Sequence, residues 1–407
     1  MKYCLIGKTL SHSYSATLHR ACGLEYDLVE VSPERVGDFV QARGYAGYNV
    51  TIPYKSTVIP YLDEVSPLAA RAGAVNTVVV AEGRSKGYNT DYRGFAGALD
   101  YYGIAVEGKH ALVLGSGGAS KVVRLALEDR GARVTVVSRT GEVNYTNVYE
   151  RQDVAIVVNA TPVGTYPAVD EAPLDIARFA HLEFVYDLVY NPYRTQLIED
   201  ARRLGVRAQN GLAMLVIQAL EAERLWTDKQ YRDEDVDRLL RTLEGATLNI
   251  ALMGMPSAGK STVGKALAEA LHKPFVDTDA LIAEREGRTP RDIIVGDGEP
   301  RFRQIEAEAV REACSMRGAV IALGGGSVLR EDNRSLIGKT AMVVYLTKDL
   351  AALTDDDRPT LQQAGAAALL RARAPIYLAT KDVEVANDGT VEDAVRQIMN
   401  AYENFSA

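Results

Sequence analysis

Gly254-Met255-Pro256-Ser257-Ala258-Gly259-Lys260-Ser261 lies between the apolar run Leu248–Met253 and a helical pattern from Thr262 to His272. Strand, glycine loop ending in Lys-Ser, then helix is the setting in which this pattern binds phosphate. Gly254 and Gly259 permit backbone angles that a side chain forbids. The N–H groups of Ser257, Ala258 and Gly259, and of Lys260, Ser261 and Thr262 where the helix starts, then face phosphate oxygens. Lys260 is placed to reach the β- and γ-phosphates, and the Ser261 hydroxyl to take a position on Mg²⁺. The stretch predicts an ATP site in a parallel α/β domain. Such a loop usually opens its domain, so the chain before residue 254 must form something else.

Composition sets the outer limits. At 407 residues the chain is long for one core, and two or three domains are expected. A formal charge of −8 argues against a general binder of nucleic acid or anionic membrane, which presents a basic face. A few local arginines or lysines still suffice for small anionic substrates. Cys4, Cys22 and Cys314 are far apart and lack metal-ligand spacing. They read as free thiols in a reducing compartment, hence a cytoplasmic protein. No apolar run approaches membrane-span length, and Met1-Lys2-Tyr3-Cys4-Leu5-Ile6-Gly7 leads straight into a strand. Neither a membrane segment nor a signal peptide is expected. Small molecules are the expected partners, and monomer and homodimer stay open.

Working back from the loop, the first half alternates strand-like and helical runs. Strands are expected at Tyr3–Ile6, Tyr26–Val31, Tyr48–Ile52 and Val75–Val80, with helices at Ser15–Cys22, Pro33–Arg43 and Ser66–Arg71. This is an α/β unit. Asp91–Tyr101 reads as a helix. His110–Leu114 is a continuous apolar strand, followed by Gly115-Ser116-Gly117-Gly118-Ala119 and a helix to about Arg130. Strands at Arg133–Val137, Val154–Val158 and Phe184–Leu188 continue a Rossmann-like lobe. Helices follow at about Arg194–Leu204, Gln209–Leu225 and Asp233–Leu243, and Gly245-Ala246-Thr247 is the expected joint.

The Gly115–Ala119 turn fits the close approach of backbone to a pyrophosphate. Ser138-Arg139-Thr140 ends the next strand, where an NAD site carries an acidic residue. An arginine there suits the 2′-phosphate of NADP(H). Upstream, Ser11–Ser15, Asn49–Lys55 and Asn89-Thr90-Asp91 each sit at a strand end, the edge where α/β ligands collect. Each also reads as a helix cap or a turn, as does Asn76. Together they offer hydroxyls, amides, one lysine and one aspartate, a set suited to a small polyol with a carboxylate. A lysine held by an aspartate can move a proton at a carbonyl oxygen while a nicotinamide exchanges hydride.

Beyond the phosphate loop, Asp277-Thr278-Asp279 ends a strand. Asp277 is placed to organise Mg²⁺, and Asp279 to accept a hydrogen bond from an attacking hydroxyl or to cap the helix Ala280–Arg285. Arg301 and Arg303 lie on a helical run from Gly298 to Glu306. The buried strand Ala319–Leu323 ends in Gly324-Gly325-Gly326, whose main chain a ligand can approach closely. Asp357-Arg358-Pro359-Thr360 and Arg373-Ala374-Pro375-Ile376-Tyr377 follow.

From Lys2 to Leu243 the chain resembles shikimate dehydrogenases. The resemblance rests on His12–Ser15, Asn49–Lys55, Gly73–Thr77, Asn89–Asp91, Gly115–Gly118, Asn159–Gly164, Asp187–Pro192 and Asn210–Leu215, in that order. It implies that Lys55 and Asp91 are the catalytic pair. Ser13, Ser15, Thr51, Asn76 and Gln218 would hold the substrate, and Tyr190 would border substrate and nicotinamide. Asn159, Thr161 and Gly211 would lie along the cofactor. From Leu248 to Ala401 the chain is similar to shikimate kinases, through Gly254–Ser261, Asp277–Asp279, Phe302-Arg303, Gly324–Gly326, Arg358-Pro359 and Arg373–Tyr377. That similarity implies that Asp279, Arg303, Gly324, Gly325, Gly326 and Arg373 bind shikimate, and that Arg358 belongs to a lid over the phosphates.

The expected organisation is an α/β substrate lobe at 1–91, completed by helices at about 210–244, a Rossmann-like NADP-binding lobe at 92–209, and a nucleotide-kinase-like phosphate-loop domain at 245–407. The expected activity is reduction of 3-dehydroshikimate to shikimate with NADPH, then phosphorylation of shikimate with MgATP. The alternatives are a quinate/shikimate dehydrogenase joined to a kinase for another small polyol, and a regulatory protein that senses these ligands.

Overall fold

The computed structural model describes residues 1–10, 13–350 and 365–405. Arg358 and His12 lie outside the described residues. Within them the chain gathers into two compact units, Met1–Tyr190 with Thr195–Leu243, and Asn191–Arg194 with Glu244–Ala407.

The first unit is built on two sheets. One holds β1 (Lys2–Gly7), β2 (Glu25–Glu30), β3 (Gly47–Val50), β4 (Glu64–Val65), β5 (Thr77–Ala81) and β6 (Arg84–Tyr88), in the order β2-β1-β3-β5-β6-β4. β1 runs parallel to β2 and β3, and β5 is antiparallel to β3 and β6. Cys4, Ile6, Val50, Tyr54, Val58 and Val78 pack into one buried cluster against it. β6 was not expected, because Arg84-Ser85-Lys86-Gly87-Tyr88 carries almost no apolar signal. A tight turn makes the strand instead. Glu82 and Gly83 adopt φ of 51° and 73°, the left-handed pair that suits a two-residue hairpin.

The second sheet holds β7 (His110–Leu114), β8 (Arg133–Val137), β9 (Val154–Asn159), β10 (Phe184–Asp187) and β11 (Arg207–Gln209), in the order β11-β10-β9-β7-β8, all parallel. β7 is an interior strand, between β9 and β8, and is buried at every residue, as its continuous apolar run predicts. The expected helix from Gln209 is corrected here. Arg207–Gln209 pairs with β10, and the helix is Leu212–Thr227.

The second unit has one parallel sheet: β12 (Asn249–Met253), β13 (Phe275–Asp277), β14 (Val320–Ala322), β15 (Ala341–Thr347) and β16 (Val383–Ala386), ordered β13-β14-β12-β15-β16. The expected joint at Gly245-Ala246-Thr247 is helical, because the helix Asp233–Thr247 continues through it. Gly245 costs that helix about 1 kcal/mol relative to alanine, too little to end a helix whose Leu239, Leu240 and Leu243 are buried. No helix among the described residues is long and apolar enough to cross a membrane.

One packing contact positions a site residue. The helix Thr90–Tyr101 lies against Leu212–Thr227 through two glycines. A Cβ on Gly94 would fall 2.7 Å from Gln218 Cβ and from the Met214 carbonyl, and one on Gly97 2.9 Å from Ile217. Without side chains there, Gln218 reaches the Thr90 hydroxyl, 3.5 Å from its Oε1. We expect Gly94→Ala to be destabilising on balance. Overpacking of about 1–3 kcal/mol outweighs the gain of about 1 kcal/mol in helix propensity. Thermal melting checks this, and a variant that melts higher than the wild type would contradict the packing argument.

Candidate active sites

In the first unit a cavity of about 550 Å³ opens beyond the carboxyl ends of β1 and β3. Ser13, Ser15, Thr51, Lys55, Asn76, Asp91, Tyr190, Gly211 and Gln218 all line it. Residues from six separate stretches are thus brought together. Tyr14, Asn49 and Met214 line it too; they belong to stretches singled out in the sequence but had no role assigned to them individually. The Tyr14 ring lies 5.8 Å from that of Tyr190.

The polar floor of this cavity is a chain of hydrogen bonds. Lys55 Nζ donates to Asp91 Oδ2 at 2.6 Å, with side chains 28% and 12% exposed. Asp91 Oδ1 accepts from Asn76 Nδ2 at 2.8 Å. Asn76 Oδ1 accepts from the Thr90 amide at 2.6 Å, and Asn49 Nδ2 donates to Thr77 Oγ1 at 3.0 Å. The capping reading of Asn89-Thr90-Asp91 is true of Asn89, whose side chain accepts from the Tyr92 amide at 3.2 Å. Asp91 is thereby left to face Lys55. One buried carboxylate with two different donors holds an ammonium in one place, which proton transfer to a substrate requires.

The glycine turn borders the same cavity through Ala119. Gly115 has φ +104°, and a Cβ there would lie 3.0 Å from Thr161 Cγ2 and 3.1 Å from the Ala160 carbonyl. The turn is packed on the Asn159–Thr161 loop. A Cβ on Gly117 or Gly118 would meet nothing within 4 Å, so these two glycines leave open space on the outer side. Gly117 starts the helix Gly118–Glu128 without a side-chain cap, so its first amides point outward. Those features fit a pyrophosphate. Ser138, Arg139 and Thr140 follow β8, with Arg139 and Thr140 exposed; they do not line the cavity. An exposed arginine at that strand end fits the 2′-phosphate of NADP(H). Asn159 Oδ1 accepts from the Thr161 amide and hydroxyl at 3.0 and 2.7 Å, while its Nδ2 donates to Asp187 at 2.9 Å. Asp187 also accepts from the Val189 amide and the Thr195 hydroxyl. Burial pushes its carboxyl up to about 7 against the pull of those donors. Gly211 is required by space, since a Cβ would sit 2.2 Å from the Leu188 carbonyl.

In the second unit the phosphate loop has Gly254 at φ +151°, Ser257 at +66° and Gly259 at +91°. A Cβ on Gly254 would lie 2.3 Å from the Leu346 carbonyl, and one on Gly259 2.4 Å from Asn387 Nδ2. The helix Lys260–Leu271 begins two residues before the expected Thr262, again without a side-chain cap. Lys260 is buried, and its Nζ donates to the carbonyls of Gly254 and Met255 at 3.1 and 2.9 Å. Ser261 Oγ donates to Asp277 Oδ2 at 2.5 Å. A hydroxyl and a carboxylate are hard oxygen donors, and Mg²⁺ needs few from protein when phosphates and water complete its shell. No larger cluster of metal-ligating residues exists among the described residues.

The cap of the helix Thr278–Glu286 is Asp277, which accepts from the Asp279 and Ala280 amides. The capping alternative for Asp279 is thereby corrected. Its carboxylate faces Gly324 instead, where a Cβ would fall 2.8 Å from Oδ1. Each of the three glycines makes room for a different neighbour. A Cβ on Gly325 would lie 3.0 Å from the Pro256 ring, and one on Gly326 2.3 Å from Arg303 Nη1. Arg373, 5% exposed, donates to the Gly325 carbonyl at 2.8 Å. Asp279, Arg303 and Arg373 therefore converge on one glycine loop beside the phosphate loop. Glu306 was not expected. It is 1% exposed and accepts from Arg303 at 2.7 Å and Ser327 at 2.9 Å.

Comparison with known proteins matches both units. A family model described as shikimate dehydrogenase substrate binding domain fits residues 5–78, and one described as shikimate kinase fits residues 256–403. The shikimate dehydrogenase (NADP(+)) of Moorella thermoacetica is 38% identical over 293 residues, covering 63% of this chain and 96% of the relative. The crystal structure of a chorismate mutase/shikimate 5-dehydrogenase fusion protein from Clostridium acetobutylicum aligns at 36% identity and TM-score 0.57, over 60% of this chain and 97% of that one. The shikimate 5-dehydrogenase of Thermus thermophilus, crystallised with NADP(H) and shikimate, aligns at 34% identity and TM-score 0.54, over 59% and 98%. Through its N-terminal part the chain belongs to the shikimate dehydrogenase family, and its C-terminal part is a shikimate kinase domain.

Proposed function

We propose that the chain carries out two successive reactions, NADPH-dependent reduction of 3-dehydroshikimate to shikimate and MgATP-dependent phosphorylation of shikimate at its 3-hydroxyl. The observation that carries the first is the Lys55–Asp91 pair, held at 2.6 Å in a cavity that the glycine turn borders. NADPH, when bound, supplies the hydride. Lys55, as ammonium, gives its proton to the carbonyl oxygen as negative charge develops there. Asp91 fixes the ammonium, and Asn76 fixes Asp91. Ser13, Ser15, Thr51 and Gln218 offer hydroxyl and amide groups to the carboxylate and ring hydroxyls. Tyr190 closes the side toward the nicotinamide. Gly115–Ala119, Asn159, Thr161 and Gly211 shape the cofactor track, and Ser138, Arg139 and Thr140 take the 2′-phosphate.

In the second reaction Asp279 accepts the hydrogen bond, and then the proton, of the attacking hydroxyl. Arg303 and Arg373 grip the carboxylate, for which a planar guanidinium fork is suited. Lys260, with the metal held through Ser261 and Asp277, neutralises charge on the transferring phosphoryl group. We assign Arg358, outside the described residues, to a lid over the phosphates. Domain limits at 1–91 with 210–244, 92–209 and 245–407 follow this division of labour. Three free thiols support a reducing, cytoplasmic setting, with the chain acting as monomer or homodimer.

Substitutions separate the two activities. Lys55→Ala is expected to lower NADPH oxidation with 3-dehydroshikimate by at least about 100-fold, the scale of a lost acid catalyst, while phosphorylation of shikimate continues. Lys260→Ala is expected to do the reverse. Steady-state assays of both variants check this, and loss of both activities in either one would contradict independent sites. Arg139→Ala is expected to raise the KM for NADPH about tenfold, equivalent to about 1.4 kcal/mol, and to leave the KM for NADH nearly unchanged. An equal rise for both cofactors would remove Arg139 from the 2′-phosphate.

A further inference from the structure

Tyr377 has no role in either reaction as described, yet it is wholly buried next to both loops of the second site. It lies four residues after Arg373 in the helix Ala366–Thr380, a spacing that puts both side chains on one face. Both reach the same carbonyl. Arg373 Nη1 lies 2.8 Å and the Tyr377 hydroxyl 2.6 Å from the Gly325 oxygen. The same hydroxyl is 3.3 Å from the oxygen of Gly254, the first residue of the phosphate loop. That second carbonyl also accepts from Lys260 at 3.1 Å. The two loops touch where Gly325 packs on Pro256, with little room for a Cβ between them. The ring of Tyr345 backs Tyr377 at 5.1 Å between centroids, so the phenol has a fixed bearing.

We infer that Tyr377 is a positioning residue for phosphoryl transfer, whose single hydroxyl sets the spacing between the phosphate loop and the Gly324–Gly326 loop. The inference rests on the kinase reading above. Its partners are backbone carbonyls, so it acts through the loops that carry Lys260 and Arg373. Transfer requires donor and acceptor atoms within about 3–3.5 Å, and a shift of about 1 Å costs on the order of 100-fold in rate. Loss of one neutral hydrogen bond lets the loops relax by part of that. The ring itself, with its packing on Tyr345, survives in phenylalanine, so a purely space-filling role predicts no change.

The test is Tyr377→Phe in the full chain, with shikimate and MgATP. The expected result is a kcat lowered about tenfold, with KM for each substrate within about twofold of the wild type, the pattern of an interaction felt only in the transition state. Tyr345→Phe removes a hydroxyl from the same ring pair without touching either loop, and is expected to keep kcat within about twofold. An unchanged kcat in Tyr377→Phe overturns the inference. So does a loss confined to KM, which makes the residue a binding group. Loss of MgATP binding by titration together with a lowered melting transition overturns it as well, by making the hydroxyl a requirement of the fold. If the wild-type chain does not phosphorylate shikimate, the kinase reading fails instead, whatever Tyr377 does.

Discussion

At several glycines of this chain one backbone segment approaches another more closely than a Cβ would permit, and both sites depend on that constraint. Gly211 lies where a side-chain carbon would be 2.2 Å from the Leu188 carbonyl, and Gly254 where it would be 2.3 Å from that of Leu346. Gly94 lets one helix close on another, which brings Gln218 to the cavity that Asp91 also lines. These are contacts with oxygen atoms of the main chain, which cannot rotate away as a flexible side chain can. The glycines therefore act less by flexibility than by allowing a rigid close fit. That fit gives the outward amides of the two helix starts, at Gly118 and Lys260, a fixed direction.

The charged groups are arranged on the same frame in two different ways. Lys55 and Asp91 form a partly exposed pair whose carboxylate is oriented by Asn76. Water reaches such a pair and screens it, so its geometry matters more than its strength. Arg303 is held differently. One of its carboxylate partners, Glu306, is 1% exposed, and the other, Glu299, is 57% exposed. Removing the partner of a buried charge costs about 3–5 kcal/mol, whereas an exposed pair is worth about 0–1 kcal/mol. On the proposed reading Glu306 therefore anchors the guanidinium, and an incoming carboxylate displaces Glu299 at small cost.

The local patterns were readable without the structure. The strand, turn and helix around Gly115 and around Gly254 occupy consecutive residues, and each carries its own apolar run and its own glycines. Lys55 and Asp91 are different, because 36 positions separate them: their residue types suggested a proton-moving pair, and likeness to a known family made that pair the catalytic one. The sequence assigned no role to Glu306, Asn387 or Tyr377, although Glu306 and Tyr377 end stretches that it singled out. Their meeting with the loops depends on the order β13-β14-β12-β15-β16, which no local spacing encodes. β6 and β11 failed for a related reason. Their residues are polar, and partner strands rather than intrinsic preference make them extended.

The most direct measurement follows one substrate through both sites of the wild-type chain. It supplies 3-dehydroshikimate, NADPH and MgATP, and counts NADPH oxidised, ADP formed and shikimate 3-phosphate produced. The two-reaction account predicts one of each per product, transient shikimate, and no ADP above background when NADPH is left out. ADP formation that proceeds at full rate without NADPH, or NADPH oxidation that ends in shikimate with no phosphate ester formed, would contradict it.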